Sequence, residues 1–425
     1  MVKDIMGIPA KGAWHCYVHK LRAWVAGDDG LPVRPYLMLV VSVEDGKFLA
    51  CEAGNTPDEA MGGNVVKAEP TSETVLHFLK RVMTHPRQMN SSAAGQKLAP
   101  IRPKSINFAD TRTATLHLRD KEKWANETAC PYVEGCRAGL AAIGIDECSF
   151  APVPPALITD IIRGSIEPGM APENQEYGTQ HLPGLMESVD GFTPAFGKSL
   201  FAAAAAYVRA APWESLATRR PVQITYRLVL REDVSMKLTA FGSVVGSKEA
   251  ESYGLSVHKT LDDAIKAYEL ENTDESEDET NALAAGGQTC MFTSVFETPF
   301  EDVDAKEMHG WELASGDGDA GPDEENWPLF CKISFNKGEN GEQDTLELTR
   351  PAIIELQCFE LMFKGMVELL SSGELKSIGD NVRDAAGPWT VKTKSSAGSQ
   401  AGEEVDIEVE ISLPSLDGAG EAAFL

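Results

Sequence analysis

The sequence predicts an α/β N-terminal domain on a mixed sheet, followed by an α+β C-terminal domain with an antiparallel sheet. Three observations predict it. Two apolar runs meet across Asp45-Gly46 within residues 34–51, a hairpin signal, because a type I′ turn needs positive φ at both central residues. Between residues 64 and 151, strand-like and helix-like segments alternate. From residue 222 onward, short strands follow one another with few helices between them, the pattern of a meander.

Each element has its own warrant. The strand at residues 37–43 is apolar on both sides, with Leu37, Leu39, Val41 and Val43 on one and Tyr36, Met38 and Val40 on the other, interrupted by Ser42. Two-sided apolarity places it in the middle of the sheet, and we expect it beside the strand at 105–109. Residues 64–68 give a short third strand. Pro70-Thr-Ser-Glu73 opens a helix, capped by Thr71 or Ser72, whose apolar stripe is Val75, Leu76, Leu79, Val82 and Met83; Pro86 stops it. Residues 104–110 form a strand, with Ile106 and Phe108 alternating. A partly helical segment at 111–143 is irregular near Cys130-Pro131, Gly144 supplies its C-cap, and residues 145–151 form a further strand.

The first domain therefore covers residues 14–155, and a Pro/Gly-rich connection covers 156–192. The C-terminal domain covers 193–415, and a disordered tail covers 416–425. The C-terminal domain opens on an alanine-rich helix at 194–211, ended by Pro212-Trp213. Strands follow at 222–230, 237–246 and 254–259, then a helix at 261–269, a strand at 290–297, a short helix at 300–309 and a strand at 329–335. A helix starting near Pro351 carries Ile354, Leu356, Phe359, Met362, Phe363 and Met366, and residues 389–394 and 405–413 close a hairpin.

The bulk composition narrows the function classes. With 65 acidic against 38 basic residues, the formal net charge is −27 over 425 residues. Such a surface repels phosphate backbones, so general nucleic-acid binding is not expected. Much of the acid lies at 269–279 and 317–325, which read as mobile, solvated loops near 269–281 and 315–326. No apolar run reaches transmembrane length and the N-terminus has no signal-peptide core, so the expectation is an intracellular, cytoplasmic protein with no membrane contact. Eight cysteines occur without a Cys-x-x-Cys pair; Cys130 and Cys136 are the close pair, and no further zinc ligands stand near them in the sequence. Free thiols, no metal and no cofactor are expected.

An ordered set of short motifs carries a resemblance. Arg34-Pro-Tyr with its Leu-Val-Val strand and Asp-Gly turn, Phe201 to Pro212-Trp213-Glu-Ser-Leu216, Pro221-Val, Tyr253-Gly-Leu255, Pro299-Phe-Glu-Asp302, Gly310-Trp311 and Ile411-Ser-Leu-Pro414 stand in this order over residues 14–415. The chain resembles a bacterial and algal family of paired domains of unknown function. That resemblance implies a domain layout and no activity.

The element order of the N-terminal domain looks like the ribonuclease H-like fold, namely a three-stranded meander, helix, strand, helix, strand. Active members of that fold converge carboxylates on two divalent cations. The fourth-strand acid matches Asp110, the one catalytic candidate, and the first-strand position falls on Ser42, which is not an acid. Glu44, Asp45, Glu73 and Asp146 are the acids available to compensate. Strand alternation turns Glu44 away from Ser42, and the turn commits Asp45.

Elsewhere the motifs are incomplete. His15 and His19 share helical spacing, but Trp14, Tyr17 and Trp24 around them point to packing or a strand. No Gly-x-Ser-x-Gly elbow, Walker loop or His-Glu-x-x-His motif occurs, and Pro322 and Pro328 spoil the calcium loop begun at Asp317-Gly-Asp319. Trp213 and Trp311 are candidate ligand-binding aromatics, with core packing as the plainer reading. The expectation is a non-catalytic protein-interaction or binding module with a possible protein partner; the alternatives are a metal-dependent or degenerate nuclease and a small-ligand binder using an interdomain cleft.

Overall fold

The computed structural model describes residues 2–26, 32–51, 65–88, 97–110, 130–150, 162, 164, 182–216, 220–231, 234–246, 253–271, 288–314, 326–336, 345–372, 386–395 and 405–415. The chain divides into two compact units, Met1–Thr179 and Gln180–Leu425. The tail at 416–425, most of both acidic stretches and most of the Pro/Gly-rich connection lie outside the described residues.

Unit 1 begins with a short helix, α1 (Val2–Met6), and then β1 (Ala13–Lys20). Two brief strands, β2 (Val25–Ala26) and β3 (Pro32–Val33), pair with each other. There follow β4 (Tyr36–Ser42), β5 (Phe48–Cys51), β6 (Val65–Val66), α2 (Ser72–Thr84), β7 (Pro86–Gln88), β8 (Ser105–Asp110), α3 (Pro131–Ala141) and β9 (Glu147–Phe150). The main sheet runs β7-β5-β4-β1-β8-β9, with β6 also on β4. β1 is antiparallel to β4 and parallel to β8, and β8 is parallel to β9.

This order corrects one expectation. The β4 strand is interior, but it does not touch β8; β1 lies between them. In β1, Trp14, Cys16 and Val18 face the main core, whereas His15, Tyr17 and His19 alternate with them. The polar ends of those three rings hide a strand period that purely apolar residues would have shown. The hairpin turn is also longer than expected. Ser42 N donates to the Lys47 carbonyl at 2.9 Å, enclosing residues 43–46, and only Gly46 has positive φ, at 62°. A type I′ turn would need a second such residue, and Asp45 does not supply it.

The helices cover one face of this sheet. Thr71 caps α2 by accepting a hydrogen bond from Thr74 N, and Val75, Phe78, Leu79, Val82 and Met83 are buried. Each such side chain contributes about 1.5–3 kcal/mol. Gly135 and Gly139 bring α3 against α2, where a Cβ would come within 2.1 Å of Ser72 Oγ and 2.2 Å of Leu76 Cδ2. Tyr17, Leu37, Leu39 and Ala109 form a second cluster on the opposite face, with Leu21, Ala23 and Ile162.

Unit 2 contains α4 (Leu185–Ser188), α5 (Pro194–Ala210), β10 (Val222–Arg231), β11 (Val234–Gly246), β12 (Tyr253–His258), α6 (Leu261–Glu271), β13 (Gln288–Thr293) and α7 (Phe300–His309). It continues with β14 (Trp327–Asn336), β15 (Thr345–Thr349), α8 (Ile353–Ser372), β16 (Ala386–Ser395) and β17 (Val405–Leu413). Its eight strands form one antiparallel sheet in the order β15-β14-β13-β12-β11-β10-β17-β16. The antiparallel α+β expectation holds at this level. Pro351 stands before α8 rather than within its first turn, and β15 is a strand that the sequence pattern did not reveal.

The helices α5 and α8 pack together against this sheet. Gly242 makes room for Met362, whose sulfur would lie 2.8 Å from an added Cβ, and Gly365 makes room for Ile411. The core between is aromatic. Tyr207 stacks on Phe292 with centroids 5.9 Å apart, Phe292 stacks on Tyr253 at 5.5 Å, and Tyr207 meets Phe363 at 4.8 Å.

Candidate functional site

In open α/β sheets, ligands and catalytic groups gather beyond the carboxyl ends of the parallel strands. In unit 1 that is the end of β1 and β8, where Asp110 is the last residue of β8. Its partner across the parallel ladder is Val18, which is 3% exposed. The backbone of Asp110 is placed; its side chain is outside what is described.

Ser42, expected on the first strand, is on β4 and pairs with Trp14, four residues back along β1 from Val18. At about 3.3 Å per residue, that puts the two sequence candidates roughly 13 Å apart along the sheet. The compensating acids stand elsewhere. Glu44 pairs with Lys11 at 3.8 Å, and Asp45 pairs with Lys47 at 2.8 Å, whose hydrogen bond holds the Asp45 carboxyl below its ordinary range. Glu73 lies in the first turn of α2, and Asp146 precedes β9. At the end of β1 itself the next residues are His19 and Lys20, and nearby Arg34, 5% exposed, donates from Nε to the Leu21 carbonyl at 3.0 Å. Among the described residues no group of three or more His, Cys, Asp or Glu is placed to hold a metal ion.

The fold gives Cys130 and Cys136 neighbours that their spacing did not announce. Cys16 from β1 and Cys148 from β9 share their electrostatic surroundings. Burial pushes the Cys16 thiol well up and the Cys136 thiol up to about 12. Cys136 Sγ donates to the Ser72 carbonyl at 3.3 Å and Cys148 Sγ to the Val133 carbonyl at 3.6 Å. All four are free thiols.

In unit 2, Trp311 is 2% exposed, its Nε1 donates to the Pro194 carbonyl at 3.2 Å, and its ring lies 4.7 Å from Phe201. Gly197 on α5 makes that seat, since a Cβ there would be 2.3 Å from the indole. Trp213 is half-buried, 4.6 Å from the Tyr253 ring and 6.2 Å from Tyr207. Both indoles therefore belong to the aromatic layer under α5.

Three polar constellations in unit 2 escaped the sequence. Arg350 Nη2 meets Asp302 Oδ2 at 2.5 Å, with both side chains under 5% exposed. Ser199 on α5 donates to Glu360 on α8, and Lys364 Nζ lies 2.9 Å from Glu360 Oε1 and 3.0 Å from Ser199 Oγ. Every member of that triangle is bonded, which suits a tie between helices. The third is a row of small polar side chains on adjacent strands: Ser243 opposite Ser256, Ser256 opposite Thr289, and Thr289 opposite Cys331. His258 sits two residues along from Ser256, with Nε2 3.1 Å from its hydroxyl. Only the i,i+2 alternation of Ser256 and His258 was visible in the sequence; the row needs the strand register.

No protein-family profile, curated protein or solved structure matches this chain. No helix of the described residues is long and apolar enough to cross a membrane.

Proposed function

We propose that unit 1 is a ribonuclease H-like domain without two-metal chemistry, and that the chain acts as a binding module for a protein partner. The strand order supports the first part: β5-β4-β1 antiparallel, then β1-β8-β9 parallel, with α2 preceding β8 and α3 preceding β9. The single observation that argues against two-metal chemistry is Val18 opposite Asp110 on the central strand. Two-metal catalysis needs carboxylates converging there, and an isopropyl group binds no cation. The net charge of −27 also opposes a nucleic-acid substrate.

The test is cleavage of single- and double-stranded DNA and RNA with magnesium or manganese. The wild type and Asp110→Ala are expected to give the same background. Metal-dependent cutting that disappears in Asp110→Ala would replace this reading with the nuclease one.

A further inference from the structure

We propose that the outer edge of β15, with the apolar face it shares with β14, takes up an extended segment of a basic partner protein as a further strand of the unit 2 sheet. That segment alternates apolar residues with Lys or Arg. The inference rests on the reading of the chain as a binding module and names its surface and its partner.

Register defines the surface. β14 and β15 pair without a bulge, with Ile333 opposite Leu348 and Phe335 opposite Leu346. Directly opposite residues share a face, and so do alternate residues of one strand. Leu329, Cys331, Ile333 and Phe335 of β14 therefore lie on one face with Leu346 and Leu348 of β15, and all six are apolar. Lys332, Ser334 and Asn336 fall on the opposite face with Thr345, Glu347 and Thr349, all polar. Such alternation belongs to strands with one covered face and one wet face. Leu182 packs on Cys331 beside Leu329 at one end of the apolar strip. At the sheet edge, Leu348 is 39% exposed.

The edge is also unguarded. The strand order of the sheet ends at β15 on this side and at β16 on the other. β16 carries Pro388, Lys392 and Lys394, the residue types that keep an edge from recruiting another strand. β15 reads Thr-Leu-Glu-Leu-Thr and contains neither Pro nor Lys. An added strand gains its affinity from main-chain hydrogen bonds, and its alternate side chains give specificity.

Charge selects the occupant. Unit 2 holds both acidic stretches, 269–279 and 317–325, and nearly all of the excess of 65 acidic over 38 basic residues. Such a field attracts a basic segment and repels an acidic one. A second copy of this chain brings the same excess, and β15 paired with itself in full register sets Glu347 against its own copy. An alternating segment suits both sides of the strand. Its apolar residues fall on the Leu346 and Leu348 face, and its Lys or Arg on the Glu347 face.

The experiment uses the full chain and a capped, fluorescently labelled probe, Lys-Val-Lys-Val-Lys-Val-Lys. Lys-Ser-Lys-Ser-Lys-Ser-Lys and Glu-Val-Glu-Val-Glu-Val-Glu are the controls. Anisotropy is expected to show saturable binding of the Lys/Val probe alone, and hydrogen exchange is expected to slow at the amides of 345–349. Leu348→Lys, which gives β15 the kind of guard that β16 has, is expected to weaken binding roughly tenfold or more. Leu348→Thr, which keeps strand propensity, takes its place if the lysine variant fails to fold. The proposal is overturned if the Lys/Val probe does not bind, if either control binds as well, or if binding leaves exchange at 345–349 unchanged. It is also overturned if light scattering shows a dimer that Leu348→Lys converts to a monomer, because the surface then belongs to a second copy. An absent peptide complex removes this surface alone, whereas metal-dependent cutting by unit 1 removes the reading of that unit and leaves a peptide complex on β15 standing.

Discussion

The residue with the most at stake in unit 2 is Arg350. Its Nε donates to the Pro183 carbonyl at 2.7 Å, its Nη1 to the Phe330 carbonyl at 2.8 Å, and its Nη2 to Asp302. Asp302 Oδ1 in turn accepts from Leu185 N at 2.7 Å. One side-chain pair thus fixes α7, β14 and the approach to α4. Removing one charge from a buried pair leaves the other uncompensated, so Asp302→Ala should destabilise the chain by about 3–5 kcal/mol, read from urea midpoints. Replacing both, as Asp302→Leu with Arg350→Met, should cost clearly less than the sum of the singles. In the sequence Asp302 stands in the Pro299-Phe-Glu-Asp302 motif, and Arg350 is the residue before Pro351 at the expected helix start. Their pairing was not legible, because 48 residues separate them and only the folded register brings them together.

At the scale of elements, amphipathic helices were the most readable parts. The α2 stripe and cap were placed within a residue or two, and α5, α7 and most later strands came out near their observed bounds; β15 was missed, and the strand expected at 290–297 ends at Thr293, with a 3-10 turn at Val295–Glu297. β1 was missed as the organising strand because His15, Tyr17 and His19 disguise its second face. That omission is why the sequence set the first-strand position on Ser42, which the structure places on β4. The two tryptophans give a test of what packing at an element boundary is worth. Trp311, sealed under α5, should cost about 3–5 kcal/mol on truncation to alanine. Trp213, half-buried beside Tyr253, should cost less. Guanidinium unfolding followed by far-UV circular dichroism ranks the two; an equal or reversed order would contradict the burial.

For the whole molecule, thiol chemistry is set by burial rather than by spacing. Cys136 in unit 1 is pushed up to about 12 and Cys331 in unit 2 to about 11, in both cases first by burial. Thiolate is the reactive form, so iodoacetamide at pH 8 should leave both unmodified in the native chain and label both in denaturant, as peptide mapping would show. The same shift has a stability sign. A thiol whose folded value lies above its ordinary 9.0 holds its proton more tightly when folded. Its contribution is complete below about pH 9 and is lost as pH rises toward about 12, so unfolding midpoints should fall across that window. An alkaline-insensitive midpoint would mean these sulfurs are better solvated than their burial implies.

The placement of β17 has a consequence in time. β17 lies inside the sheet, with Val409 between Tyr226 of β10 and Val391 of β16. Roughly 180 residues of chain must therefore be made after β10 before that pairing can close. At about 5–20 residues per second, the nascent meander waits on the order of 10–40 seconds with one side of β10 bare. An unpaired strand edge recruits other strands, so this interval is when the growing chain most needs shielding. Slowing translation between β10 and β17 should lower the yield of folded protein more than slowing it anywhere before β10.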